Sequence, residues 1–113
     1  MTQHNDFVSL RHMYDHAREA VALAHGRARQ DLDSNRVLAL ALVRLVEIVG
    51  EAATRISAQF RSQHPQIPWQ ATIGLRNRLI HGYDSINHDI LWRILTTDFP
   101  PLVVTLERIV GSE

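Results

Sequence analysis

Residues 35–53 read Asn35-Arg36-Val37-Leu38-Ala39-Leu40-Ala41-Leu42-Val43-Arg44-Leu45-Val46-Glu47-Ile48-Val49-Gly50-Glu51-Ala52-Ala53. Leu38, Leu42, Leu45, Val49, Ala52 and Ile56 recur at three and four, and so do Ala39, Val43, Val46, Gly50, Ala53 and Ser57. Helical spacing therefore draws two apolar stripes on one helix, and the pattern predicts that helix from Asn35 to about Gln63. A helix with two buried faces needs neighbours on both. Gly50 in the interior costs about 1 kcal/mol relative to alanine, so a glycine there marks the close approach of another helix, within the subunit or across a dimer. Because a small domain rarely surrounds a helix, self-association is the favoured reading. The alternative is that both stripes face helices of the same subunit.

Working outward, Phe7, Leu10, Tyr14, Ala17, Val21 and Ala24 form one stripe of a first helix over about 6–25, with Asn5 or Asp6 as N-cap and Gly26 just past its end. A polar connection, 27–33, follows, in which Leu32 is the one residue expected to turn inward and Asp33 or Ser34 can cap the next helix. On the other side Pro65 and Pro68 end the long helix and start a shorter one, with Trp69 as an apolar anchor and Ile73, Leu75, Leu79 and Ile80 as its buried side. Gly82 is placed to stop that helix, and Asn87 can cap one carrying Ile90, Leu91, Ile94 and Leu95. Pro100 and Pro101 then break or kink the chain before a last amphipathic segment of Leu102, Val103, Leu106, Ile109 and Val110. No stretch alternates at period two. The expectation is an all-α, up-and-down bundle of four to five helices, forming one domain over residues 1–113.

Composition narrows the function classes. The 113 residues are 45% hydrophobic and carry 12 basic against 12 acidic side chains. A neutral chain does not hold duplex nucleic acid through a broad basic field, because each neutralised phosphate needs a nearby cation. All the basic residues are arginine, which fits the coding bias of a G+C-rich genome better than selection for forked phosphate contacts. There is no cysteine, so disulfides, a thiol nucleophile and Cys-type zinc sites are excluded. The first residues lack the basic and apolar regions of a signal peptide, and Arg44, Glu47 and Glu51 interrupt the longest apolar run. The expected location is the cytoplasm, with no membrane contact.

One dense polar cluster stands out, Arg76-Asn77-Arg78-Leu79-Ile80-His81-Gly82-Tyr83. Residues 69–81 contain Arg76, Arg78 and His81 and no carboxylate, which makes a locally positive site suited to a single phosphate or a short single strand. Arg76 and His81 lie five positions apart, about 140° around an ideal helix. They converge only where the helix unwinds or where two subunits bring their motifs face to face. An arginine fork neutralises a phosphorane-like transition state while a histidine moves a proton to or from a ribose oxygen, with no metal required. That pairing favours RNA over DNA, since the 2′-hydroxyl can attack the adjacent phosphodiester. Arg78, two positions from Arg76, points elsewhere and holds RNA or a carboxylate such as Glu47 or Glu51.

The run Ile67-Pro68-Trp69, Ile73-Gly74-Leu75-Arg76-Asn77 and Leu79-Ile80-His81-Gly82-Tyr83-Asp84, extended upstream to 43–53 and downstream to Trp92, resembles the HepT-like branch of the HEPN superfamily. The resemblance implies a homodimeric HEPN-like bundle whose two motifs line a shared cleft. It also implies a metal-independent ribonuclease motif made of Arg76 and His81, with Asn77 completing the site and no cofactor. Such proteins act as toxins of toxin–antitoxin pairs, neutralised by an MntA-type nucleotidyltransferase that transfers AMP to a tyrosine two positions after the histidine, here Tyr83. Read from its own surroundings alone, Tyr83 is a half-buried turn tyrosine. The rival reading for the whole chain is a non-catalytic HEPN module that binds a nucleotide or a partner protein in the same cleft.

Other constellations have simpler accounts. His12 and His16, with Glu19 in reach, have metal-ligand spacing but share a solvated face with Arg11, Asp15 and Arg18. Glu47 and Glu51 are one turn apart, and Arg44 and Arg55 supply intrahelical ion pairs for them. Trp69 and Trp92 have the chemistry to stack on bases, yet are expected to pack in the core near the motif.

Overall fold

In the computed structural model, which describes residues 5–80, 82 and 85–112, every named element is helical. Asn5 caps α1 (Asp6–Ala24), its side chain accepting from the Phe7 N–H at 2.9 Å. Asp31 starts the one-turn helix α2 (Asp31–Ser34) and accepts from the Ala28 N–H, and Leu32 turns inward to 2% exposure as the sequence predicts. Asn35, rather than Asp33 or Ser34, caps α3 (Arg36–Thr54), because its side chain reaches the Leu38 N–H at 3.0 Å.

The long helix expected through Gln63 stops nine residues early, and a separate α4 (Ala58–Gln63) follows. The break is fixed from outside. Ser57 is extended, its hydroxyl accepts from the Phe60 N–H at 3.1 Å, and its N–H and hydroxyl both donate to the Asp6 carboxylate at 2.8 and 2.7 Å. Asp6 thus offers Ser57 a better set of partners than one more helical turn, and Phe60 packs edge-on against Phe7 beside it.

Proline and glycine shape the second half. α5 (Trp69–Ile73) and α6 (Leu75–Leu79) are two short helices divided at Gly74, where one helix was expected. Leu75 and Leu79 face the core, whereas Ile80, expected on the buried side, is 42% exposed. α6 ends before Gly82 is reached: Ile80 is extended and bridges antiparallel to Ile86, with the Asn87 N–H on the Leu79 carbonyl at 2.9 Å. Gly82 sits within the turn so closed, at φ +91°. Asn87 caps α7 (His88–Arg93) as predicted.

α7 continues through a π-helical turn, Ile94–Asp98, into α8 (Phe99–Gly111), so Pro100 and Pro101 do not separate two segments. Proline has no N–H and its ring crowds the carbonyl four residues back. Widening the turn just ahead of the pair accommodates both effects within the first turn of α8.

The core sits where α1 packs against both α3 and α8, with Leu10, Met13, Ala17, Leu42, Val46, Val49, Leu91, Ile94 and Leu106 almost entirely enclosed. α3 packs against α1, α2, α5 and α6, and most of both stripes is buried, with Val43 half-buried at its outer edge. A Cβ on Gly50 would stand 3.2 Å from the Thr72 carbonyl and 3.6 Å from the Leu75 Cβ. The close approach marked by Gly50 is therefore to α5 and α6 of the same chain. Of the two readings of Gly50, the contact within the subunit is the one it makes, while Val37 and Leu40 on the same helix stay exposed.

Candidate functional site

α6 is five residues long, and its anchors are Leu75 and Leu79, one helical turn apart and 2% and 1% exposed. Their burial fixes the rotation of the helix and leaves the remaining side chains to diverge. Arg76 leans toward α3, with Nε 3.8 Å from a Glu47 carboxylate oxygen, and keeps 69% of its side chain exposed. That contact is too long for a hydrogen bond, so it aims the guanidinium without occupying its donors. Asn77 is exposed between the two arginines.

Arg78 turns the opposite way, as its spacing predicts, but the carboxylate it holds is Asp98 of the π turn, at 3.0 Å. The carboxylates proposed for Arg78 serve others: Glu47 lies between Arg76 and Arg44, the latter at 3.9 Å, and Glu51 lies 3.4 Å from Arg44. Arg44 therefore forms the expected intrahelical pairs. The segment that is free of carboxylates in sequence has two acidic neighbours in space among the described residues, Asp98 on Arg78 and Glu47 between Arg76 and Arg44.

His81 and Tyr83, the predicted proton-transfer and modification residues, lie outside the described residues. Their flanks are described. The helix carrying Arg76 stops at Leu79, and the extended Ile80 immediately precedes His81. The unwinding that convergence of Arg76 and His81 requires thus occurs one residue before the histidine, earlier than the expected position at Gly82. The Ile80 N–H still donates to the Arg76 carbonyl at 3.1 Å, although Ile80 itself is extended.

Beside Ile80 and Gly82 opens a groove of about 480 Å³, walled by α2, α3 and the start of α7. Leu40 and Val43 line it together with Ile80, and Arg36 and His88 bring charge and a ring nitrogen to it. His88 Nδ1 is 2.7 Å from Asp33, whose other oxygen is 3.0 Å from Arg29, and Arg29 also reaches Asp89 at 2.7 Å. The hydrogen bond from His88, and after it that from Arg29, holds the Asp33 carboxyl below the usual carboxylate range. Sequence reasoning missed this network, because its members are 55 and 60 residues apart. The adjacent His88 and Asp89 at a capped helix start were the one local signal.

The remaining candidates resolve simply. His16 Nδ1 bonds the His12 carbonyl at 2.7 Å, and among the described residues no three His, Cys, Asp or Glu side chains are grouped to hold a metal. Trp69 and Trp92 are half-buried against the core, and the Trp69 indole N–H donates to the His64 carbonyl. No helix among the described residues is long and apolar enough to cross a membrane.

The family model described as ribonuclease HepT-like matches residues 13–109. A protein of Caldanaerobacter subterraneus subsp. tengcongensis, named as a candidate RNase, is 31% identical over 104 residues, covering 92% of this chain and 93% of the relative. A candidate RNase of Methanocaldococcus jannaschii is 39% identical over 74 residues, 66% of this chain and 68% of its own. A protein of Thermococcus cleftensis named as a candidate ribonuclease HepT is 32% identical over 80 residues, 71% and 73% of the two chains. No solved structure matches significantly. The match runs from the middle of α1 to the end of α8, through the whole of α3 and the α6 cluster on which the resemblance rested, and on that ground the chain belongs to the ribonuclease HepT-like family.

Proposed function

We propose that this chain is the endoribonuclease toxin of a toxin–antitoxin pair, cleaving RNA without a metal ion through Arg76 and His81, with Asn77 assisting. The observation that carries the reading is Arg76: two-thirds exposed, aimed by Glu47 at a distance that leaves its donors free, on a helix that unwinds directly before His81. Family membership and the RNase names of relatives support the same chemistry.

In this reaction the 2′-hydroxyl loses its proton to a base, O2′ forms a bond to the adjacent phosphorus, and the P–O5′ bond breaks as the leaving oxygen takes up a proton. The products are a 2′,3′-cyclic phosphate and a free 5′-hydroxyl. His81 transfers the proton, a step contributing on the order of 10²–10⁴-fold, while Arg76 neutralises the charge that builds on the phosphoryl oxygens. Asn77, exposed beside Arg76, donates to the same phosphate. Arg78 reaches RNA only by giving up Asp98, so its first role is to hold α6 against the π turn.

The active form is a homodimer with the two motifs lining one cleft, acting in the cytoplasm. Its antitoxin is a nucleotidyltransferase of the MntA type that adds AMP to Tyr83, placing bulk and negative charge where substrate phosphate must sit.

The test is RNA cleavage with metal chelated, and growth arrest on expression, for the wild type beside His81→Ala. Cleavage and arrest that disappear together in the variant support the reading. Equal behaviour of the two folded proteins replaces it with a non-catalytic binding module. A mass shift of one adenylyl group, present with the antitoxin and ATP and lost in Tyr83→Phe, tests the neutralisation step.

A further inference from the structure

The groove between α3 and the turn after α6 is built for more than apolar contact, and we infer that it is a nucleotide subsite, holding the RNA residue next to the one cleaved. The choice of ligand rests on the ribonuclease reading; the site itself rests on the groove's own geometry.

First, its charge is unspent. Arg36 is exposed on the groove wall and pairs with no acidic side chain among the described residues. The one carboxylate in the lining, Asp33, is already engaged by Arg29 and His88, so it does not repel an incoming phosphate as a free carboxylate does. Second, His88 is positioned. Its Nδ1 side is fixed on Asp33 at 2.7 Å, which leaves Nε2 as the nitrogen open to a ligand. Third, the floor is apolar and accessible: Leu40 is 54% and Ile80 42% exposed, with Val43 and Ala39 beneath them. A flat base covers such a floor while its phosphate faces Arg36 and His88. The volume, about 480 Å³, lies within the range of small-molecule sites, roughly 300–1,000 Å³.

Position also favours this occupant. Arg76 touches α3 at Glu47, and Ile80 meets it in the groove lined by Val43 and Leu40. Glu47 and Val43 are one turn apart, about 6 Å along the axis. A single strand with one phosphate at Arg76 therefore continues along α3 into the groove, past Ile80 and Gly82 on its edge.

The experiment measures binding apart from catalysis, using a short single-stranded RNA made wholly of 2′-O-methyl nucleotides, which cannot be cleaved by 2′-oxygen attack. Wild type, Arg36→Gln, His88→Asn and Leu40→Ser are compared by fluorescence anisotropy over a salt series, with thermal unfolding and sedimentation run on each. We expect at least a fivefold weaker affinity for Arg36→Gln and His88→Asn. For Arg36→Gln we also expect a salt slope shallower by about 0.7, the single-strand value for one phosphate. Wild-type affinity in both folded variants overturns the subsite, as does a wild type that does not bind the strand. It is likewise overturned if Leu40→Ser splits a dimer and leaves RNA binding unchanged, because the groove then belongs to a second copy of the chain. Groove-dependent binding of the methylated strand without cleavage of the all-ribose strand supports the subsite and removes the ribonuclease reading instead.

Discussion

α3 and α6 meet at Gly50 and are opposite in design. α3 carries its apolar stripes into the core: Leu42, Val46, Val49 and Ala53 are wholly enclosed, and on its outer side Arg44 pairs with Glu47 and Glu51 along the helix. α6 has five residues and two anchors, Leu75 and Leu79, and it turns everything else outward. Isolated helices that short are not stable in water, so α6 exists because α3, α5 and α7 hold it. A long helix anchored in the core thus carries much of the fold and frees a short neighbour to present Arg76, Asn77 and the start of the turn. Stability and chemistry lie on adjacent elements, and substitutions should separate them.

The largest effect expected is on chemistry alone. Arg76→Ala should lower the rate of RNA cleavage by roughly 10²–10³-fold, the cost of losing one oxyanion-stabilising donor, with thermal unfolding almost unchanged because the side chain is 69% exposed. A large drop in stability would mean that α6 is not the expendable partner in this pair. Leu42→Ala should do the reverse, costing about 2–5 kcal/mol in denaturant unfolding, while the protein that remains folded cleaves RNA at close to the wild-type rate.

Gly50→Val joins the two regions. Its Cβ meets the Thr72 carbonyl and Leu75, so α5 and α6 must shift. Overpacking of this kind costs about 1–3 kcal/mol, and here activity should fall along with stability, because Leu75 is the anchor that aims Arg76. Asp98→Ala releases Arg78, and the pair is about one-third exposed on both sides, so unfolding measurements should show about 1 kcal/mol or less.

The smallest effect is on pH dependence. Asp33 has its carboxyl held below the ordinary value of 3.8 by His88 and then Arg29. A carboxyl whose folded pKa lies below its unfolded one stabilises the fold at pH above the unfolded value, and that contribution is lost as pH falls through the folded value. Asp33→Asn should therefore flatten the acid side of a stability profile below about pH 4 and leave the neutral side with a similar slope. An unchanged acid limb would show that the link between α2 and α7 contributes nothing to folding.

Much of this was legible locally. The caps at Asn5 and Asn87, the burial of Leu32, the close contact at Gly50 and the divergence of Arg76 from Arg78 follow from residue type and helical period. What was misjudged depends on residues far away in the chain. The helix expected over 35–63 breaks because Asp6, 51 residues earlier, captures Ser57. Ile80 is exposed because its backbone pairs with Ile86 and takes it off the helix.

By itself, the sequence determined an all-helical chain, the starts of α1, α5 and α7, and a locally cationic cluster at the end of a short helix, since periodicity, capping and charge are properties of neighbours. Only the tertiary structure decided what covers the second face of α3, which carboxylate each arginine takes, and that Arg36, Asp33 and His88 share one groove. Those outcomes depend on distances between segments tens of residues apart, and such distances are set by how the buried faces pack together.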